Sequence, residues 1–432
     1  MENKDDFLKF KNLLGFVFNN KYSDFYRTKY EQAGLNPVSG FNSVDDVKKI
    51  PFLTKKELLG AELFNLLFVD EKEVGAIAVT SGTTGKPLVI FHHESGIYSP
   101  PYLSSLVDEK MRMLFLSPGS TIPILFYHLY GLVTKKTGRS RAYIGDGSNL
   151  SNSCRLAEML KVNTIYTFPS LAIILKDYFE HYPNLKKSLK FFILIGELVS
   201  PEKKQFLKTL YPNLEIILEY SSNESPSVGF QCRHLIEKND QIYYHARIDD
   251  YHLEIINPET EENVKFGEKG ELVATNFWNS ATPLIRYKTG DLVSLTENNC
   301  PCGAPGPLLQ IWGRSNYDVI KAGGFVLRTE MLEKPLLNLK DYLQNAFECH
   351  AYENFVGAIP KVKLTLNLSL KEGVEESPEL KKIIENEFME NWRLSPKFNL
   401  KKAVETGLFE PPQINFVKFP KSIKPRKILI AH

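Results

Sequence analysis

The feature that most constrains the fold is a repeated alternation of apolar strands and amphipathic helices between residues 153 and 220. A helical pattern over 153–160 precedes an apolar run at 163–168. A second helix over 171–179 precedes a run at 190–195, and a third over 201–210 precedes one at 214–220. Alternation of this kind argues for an α/β fold built on a mostly parallel sheet. In such sheets ligands bind beyond the carboxyl ends of the strands. Those ends carry Phe168, then Gly196 and Glu197, then Tyr220-Ser221-Ser222-Asn223-Glu224.

Upstream lies a second constraint, Thr80-Ser81-Gly82-Thr83-Thr84-Gly85-Lys86-Pro87. Glycines let backbone N–H groups approach an oxyanion, hydroxyls add donors and Lys86 adds positive charge. That is the chemistry of a polyphosphate cradle. It departs from the Walker A loop, because Thr80 stands where the first glycine would fall and Pro87 where Ser or Thr would follow the lysine. The flanks read as strands at 74–79 and 88–91, so the expected unit is strand–loop–strand. Before it, Thr54-Lys55-Lys56-Glu57 reads as a capped helix start, and residues 5–34 read as one or two amphipathic helices.

Alternating patterns over 242–256 read as antiparallel strands. Pro283-Leu284-Ile285-Arg286-Tyr287-Lys288-Thr289-Gly290-Asp291 follows, then Gly313-Arg314-Ser315-Asn316 and Lys321-Ala322-Gly323-Gly324-Phe325. The remaining hundred or so residues mix strand and helix patterns and end in the basic stretch Lys421-Ser422-Ile423-Lys424-Pro425-Arg426-Lys427. At 432 residues more than one core is expected. We therefore expect a large N-terminal domain over 1–314, with mostly parallel sheets plus a β-rich segment, and a small α+β domain over 315–432.

Taken together, these stretches resemble, in order and spacing, the motifs of the adenylate-forming superfamily of acyl-CoA synthetases, peptide-synthetase adenylation domains and luciferases. The phenylacetate-CoA ligase-like branch is the most similar. The resemblance implies ATP-dependent activation of a carboxylic acid, aryl or arylacetic acids favoured, to an acyl-adenylate with release of pyrophosphate. Transfer to a thiol, CoA, follows. It implies that Ser81, Gly82, Thr83, Thr84, Gly85 and Lys86 hold the phosphates, and that Gly196 and Glu197 close over adenine. Tyr220 would stack on the purine, with Ser221 and Asn223 standing where the family has Gly and Thr or Ser. Glu224 would reach Mg²⁺, Asp291 would bond the ribose hydroxyls and Arg314 the ribose or phosphate. Tyr127, His128, Tyr130 and Phe168 would line the acyl pocket. Asn316 would be the hinge between the domains, and Gly323 and Gly324 would face the acceptor tunnel. Lys424 would be the catalytic lysine, with Lys427 as the alternative. Delivery to a carrier protein or an amine, or a relative that binds nucleotide without catalysis, remain the competing readings.

Cys232-Arg233-His234 and Cys300-Pro301-Cys302-Gly303 supply four soft ligands, the number a tetrahedral structural Zn²⁺ needs. The expected set is Cys232, His234, Cys300 and Cys302, with His245 as the alternative nitrogen donor. The composition adds exclusions. A formal net charge of +2 gives no reason to expect nucleic acid or a membrane surface. The N-terminus is polar and acidic, unlike a signal peptide, and no apolar run reaches about 18 residues. Five cysteines is an odd count for a disulfide framework and points to the cytoplasm. A homodimer is compatible with all of this.

Overall fold

In the computed structural model, the described residues are 4–79, 87–94, 111–117, 141–237, 241–314, 319–354, 361–395, 398–419 and 426–430. Five strands, Glu215–Tyr220, Phe191–Leu194, Thr164–Thr167, Arg112–Ser117 and Arg141–Asp146, lie side by side in that order and all parallel. The alternation read from sequence is realised in the first three of these. Thr164–Thr167 is buried at every position, as a strand in a parallel sheet covered on both faces must be. The helix Leu150–Met159 starts where the Asn149 side chain accepts the N–H of Asn152. Pro169–Phe179 starts with proline at its first turn, where a missing N–H is harmless. Arg112–Ser117 and Arg141–Asp146 had no sequence expectation. The stretch 122–131, which holds Tyr127, His128 and Tyr130, lies outside the described residues.

The same sheet continues through Gly229–Phe230, Tyr244–Ala246, Leu308–Arg314, Tyr287–Thr296, Gly270–Asn276 and Tyr251–Ile256, making eleven strands among the described residues. The pairings of Gly229–Phe230 with both neighbours, and of Tyr251–Ile256 with Gly270–Asn276, are antiparallel. The sheet therefore changes from parallel to antiparallel just beyond Tyr220, where the Tyr220–Glu224 stretch leaves it.

Strands Val74–Val79 and Val89–His93 form an antiparallel hairpin with Val79 opposite Val89. The Ser/Thr/Gly loop is thus the connection of a β-hairpin, unlike the strand–loop–helix of a Walker A site. The loop itself, 80–86, is outside the described residues. The N-terminal helices Lys4–Phe18 and Phe25–Gln32 bury Phe10, Leu14, Val17, Tyr26 and Tyr30 against Leu53, Leu284, Ile285 and Tyr287. Helix Lys55–Gly60 begins with the capping box of Thr54 and Glu57.

The described chain divides into two units, Met1–Gly196 with Tyr211–Ile311, and Glu197–Leu210 with Trp312–His432. The second has a four-stranded sheet in the order Gln413–Phe416, Lys361–Leu370, Leu343–Asn354, Arg426–Ile430. Its central pair is antiparallel and its outer pairs parallel. Helix Pro378–Asn391 is capped by Ser377, whose side chain accepts the N–H of Leu380. Its Ile384 and Phe388, followed by Trp392, pack on Phe347, Leu364, Leu366 and Leu368. No helix among the described residues is long and apolar enough to cross a membrane.

Candidate nucleotide site and cysteine–histidine cluster

Thr289-Gly290-Asp291 lies inside the ten-residue strand Tyr287–Thr296. The ladder slips against Gly270–Asn276 between Glu271 and Val273, and Gly290 sits opposite that slip with φ +76. A left-handed residue in a strand is the mark of a bulge, and glycine is the residue that adopts it without strain. The Thr289 hydroxyl donates to Leu272 O at 2.9 Å and accepts the Asp291 N–H at 3.1 Å. The Gly290 N–H is bonded to Glu271 Oε1 at 3.2 Å. The bulge therefore fixes where Asp291 points.

Its carboxylate meets the tyrosine of the other motif. Tyr220, the last residue of Glu215–Tyr220, donates its phenol O–H to Asp291 Oδ2 at 2.5 Å. Asp291 is 8% exposed. The loop after Tyr220 is held by its own hydroxyls: Ser221 Oγ accepts the Ser227 N–H at 3.0 Å and Ser222 Oγ the Ser225 N–H at 2.9 Å. Ser221 is not among the residues with positive φ, so serine replaces the family's glycine here without backbone strain. Asn223 Nδ2 donates to Val79 O at 3.3 Å, and Val79 leads directly into the 80–86 loop. Glu224, 8% exposed, takes an ion pair from Lys55 Nζ at 3.2 Å. Tyr220, Asn223, Asp291 and Val79 are thus brought to the carboxyl end of the parallel strands.

Sequence reasoning overlooked Lys55. A signal was present: lysines at 55 and 56 in the first turn of a helix oppose its dipole, which points to an anion elsewhere that keeps them there. Gly196 has φ +75, and a Cβ on it would come within 2.6 Å of the Phe168 ring. The glycine and the aromatic candidate for the acyl pocket therefore occupy one spot. Glu197 follows as the first residue of the second unit. Within that unit Arg314 ends its strand exposed to solvent. Gly323 and Gly324, with φ +57 and +80, form the turn between Val319–Ala322 and Phe325–Arg328, the two-residue hairpin that requires positive φ at both positions. Tyr127, His128, Tyr130, Asn316 and Lys424 lie outside the described residues. Lys427 is in strand Arg426–Ile430.

Cys232, His245, Cys300 and Cys302 place one ligand atom each within 4.8 Å of one another. The nitrogen donor is His245, the alternative, and not His234. Cys232 immediately precedes helix Arg233–Glu237, on which His234 is exposed. His234 faces solvent and is not among the side chains that gather with Cys232. His245, on the buried strand Tyr244–Ala246, reaches in from the sheet. Its Nε2 lies 3.3 Å from Cys232 Sγ and 3.1 Å from Cys302 Sγ, and Cys232 and Cys300 Sγ are 3.4 Å apart. A tetrahedral zinc with bonds of about 2.0–2.3 Å needs donors about 3.5–3.8 Å apart, so the donor set fits with small adjustments. The Ala304 N–H points at Cys302 Sγ at 3.4 Å, and Asn298 ties the turn to Ala304 O and Gly306 O. Burial pushes the Cys232 thiol up to about 12 and His245 down, so without a cation the thiol stays protonated and the imidazole neutral. All five cysteines are free thiols.

An aromatic ring, a buried carboxylate and a side-chain amide gathered at the ends of parallel strands are the furnishings of a nucleotide site. The chain belongs to the AMP-binding enzyme family, whose profile matches residues 42–279. Among similar proteins are two named phenylacetate-coenzyme A ligase. That of Thermus thermophilus is 28% identical over 338 residues, 75% of this chain and 72% of the relative. That of Pseudomonas putida is 27% identical over 361 residues, 79% and 77% of the two chains. The structure of 2-hydroxyisobutyryl-CoA ligase in complex with 2-HIB-AMP and CoA, in its thioesterification state, superposes with a TM-score of 0.66. It has 18% identity and covers 99% of this chain and 89% of that one. At that identity the likeness establishes the fold.

Proposed function

We infer that the protein is an AMP-forming acid–thiol ligase. It joins a carboxylic acid to the α-phosphate of ATP, releases pyrophosphate, and passes the acyl group from the adenylate to CoA. The observation that carries this reading is the contact between Tyr220 and Asp291, which comes from motifs far apart in the chain. A phenol ring beside a buried carboxylate suits a purine nucleoside: the ring offers a face to the base, and the carboxylate accepts from ribose hydroxyls. Asn223 bonds Val79 O, the residue that precedes 80–86, and the other N–H of its amide can bond a phosphate oxygen.

The chain's own work in the first step is positioning and charge neutralisation. The loop donors and Lys86 would hold the β- and γ-phosphates, and Glu224, a hard oxygen donor, would hold Mg²⁺, which lowers the charge on the phosphates. Lys55 occupies Glu224 and supplies a second cation there. Lys424, or Lys427 in its place, would neutralise charge developing on the α-phosphate. The small domain, 315–432, would turn about Asn316 to bring Gly323 and Gly324 to the acceptor. Phe168, packed on Gly196, favours a flat acid, and the relatives' names favour an arylacetic one. The cysteine–histidine cluster would hold one structural Zn²⁺, with no open position for water. The free thiols suit a reducing cytoplasm.

The test is to incubate the protein with ATP, Mg²⁺, CoA and a panel of aryl, arylacetic, aliphatic and amino acids. We expect AMP and an acyl-CoA of matching mass with arylacetic acids. AMP without a thioester would transfer the reading to a carrier protein or an amine. No AMP with any acid would overturn it in favour of a nucleotide-binding relative without catalysis.

A further inference from the structure

Within the second unit, helix Pro201–Leu210 carries Lys203, which is 3% exposed. An ammonium that deep must be paired. Lys203 Nζ forms an ion pair with Glu353 on strand Leu343–Asn354 and lies 3.4 Å from Leu198 O. The other oxygen of the same carboxylate, Glu353 Oε1, accepts the N–H of Gly323 at 3.0 Å. One carboxylate therefore ties the helix that follows Glu197 to the glycine turn between Val319–Ala322 and Phe325–Arg328.

The turn needs such a tie. Two adjacent glycines have the largest conformational freedom of any pair, and sequence alone does not hold them in one geometry. Packing supplies one restraint: a Cβ at Gly323 would fall 2.6 Å from Val362 Cγ2, so the backbone rests directly on that side chain. The bond to Glu353 supplies a directional one, and the charge on Lys203 holds Glu353 in place.

We propose that Glu353 is a positioning residue for the thiol-transfer half-reaction. By holding the Gly323 amide it fixes the turn past which the acceptor thiol reaches the acyl carbon. This rests on the reading that Gly323 and Gly324 face the acceptor. In that step the thiol sulfur bonds to the acyl carbon, the bond from that carbon to the phosphate oxygen breaks, AMP leaves and the thiol proton passes to water. Glu353 touches none of these atoms. Its effect is therefore confined to the second half-reaction.

The test compares wild type with Glu353→Gln, Glu353→Ala and Lys203→Met, using an acid that supports the wild-type reaction. Gln keeps an oxygen for the Gly323 N–H but loses the charge that Lys203 needs. Ala loses both. For each protein we would measure thermal stability, ATP–pyrophosphate exchange, and thioester formation from preformed enzyme-bound acyl-adenylate as CoA is varied. Exchange is expected to stay within about twofold of wild type in every folded variant. Thioester formation should fall about tenfold or more in Glu353→Ala with a raised KM for CoA, and less in Glu353→Gln. Both half-reactions falling in parallel with the melting temperature would show a merely structural residue and overturn the proposal. Unchanged thioester formation in Lys203→Met and Glu353→Gln would overturn it too, even if Glu353→Ala failed to fold. Wild-type exchange without any CoA thioester would instead refute the acceptor reading beneath it, and the proposal with it.

Discussion

Replacing Asp291 with alanine should weaken nucleotide binding while leaving the fold intact. The carboxylate lies on a bulged strand and accepts the Tyr220 O–H. A hydrogen bond to a charged group is worth about 1.5–3 kcal/mol, which is roughly ten- to 150-fold in affinity. Bonds to neighbouring ribose hydroxyls are not additive, so we expect ATP to bind roughly ten- to a hundredfold more weakly. Tyr220→Phe removes only the hydroxyl that donates to Asp291 Oδ2 at 2.5 Å and keeps the ring. Its loss should be smaller, below about tenfold. The two side chains touch, so the phenylalanine substitution should cost less in an Asp291→Ala background than in wild type. Titration calorimetry with ATP in the absence of acid measures all four affinities, and melting curves establish that each variant is folded. An unchanged affinity in Asp291→Ala would refute the assignment. Additive losses across the cycle would refute the coupling of the two residues.

Other substitutions probe other parts of the structure. Arg286, with φ +51, forms a two-point pair with Glu254 at 2.9 and 2.8 Å, donates to Ile50 O and lies 4.0 Å over the Phe52 ring. Both side chains are almost wholly buried, so Arg286→Met should cost about 3–5 kcal/mol by stranding Glu254; denaturant unfolding in which the melting of this unit is unchanged would contradict that. Lys424→Ala should abolish pyrophosphate exchange while sparing thioester formation from supplied acyl-adenylate, and full exchange in Lys424→Ala with loss in Lys427→Ala would move the role to the second lysine. Purified, tag-free protein should carry about one zinc per chain, and Cys300→Ser should lose metal and thermal stability together; less than about a tenth of an equivalent in wild type would remove the site. Burial that holds the Cys232 thiol up means zinc must displace its proton, so retention against a chelator should weaken as pH falls.

What could be read from the sequence follows a physical division. Strands such as Thr164–Thr167 and Glu215–Tyr220 were legible because a strand buried on both faces is an unbroken apolar run, and the helices between them show the 3.6-residue period. The Thr54 cap was legible because its partner Glu57 is local. The bulge at Gly290 was not legible, since glycine marks turns and bulges alike and only the partner strand distinguishes them. His234 was preferred to His245 because sequence proximity to Cys232 stood in for spatial proximity, whereas a helix start turns neighbours apart and a strand across the sheet brings a distant residue in. The pairs Lys55 with Glu224, Arg286 with Glu254 and Lys203 with Glu353 were invisible for the same reason. Charged residues carry no period, and tertiary structure alone decides which opposite charge each one meets.

The central claim is that this site makes an acyl-adenylate. The most direct measurement is the incorporation of labelled pyrophosphate into ATP, with Mg²⁺ and without CoA, as the carboxylic acid is varied. Exchange should depend on the acid, be strongest with arylacetic acids and be lost in Lys424→Ala. Exchange that is absent with every acid, in protein that still binds ATP, would contradict it.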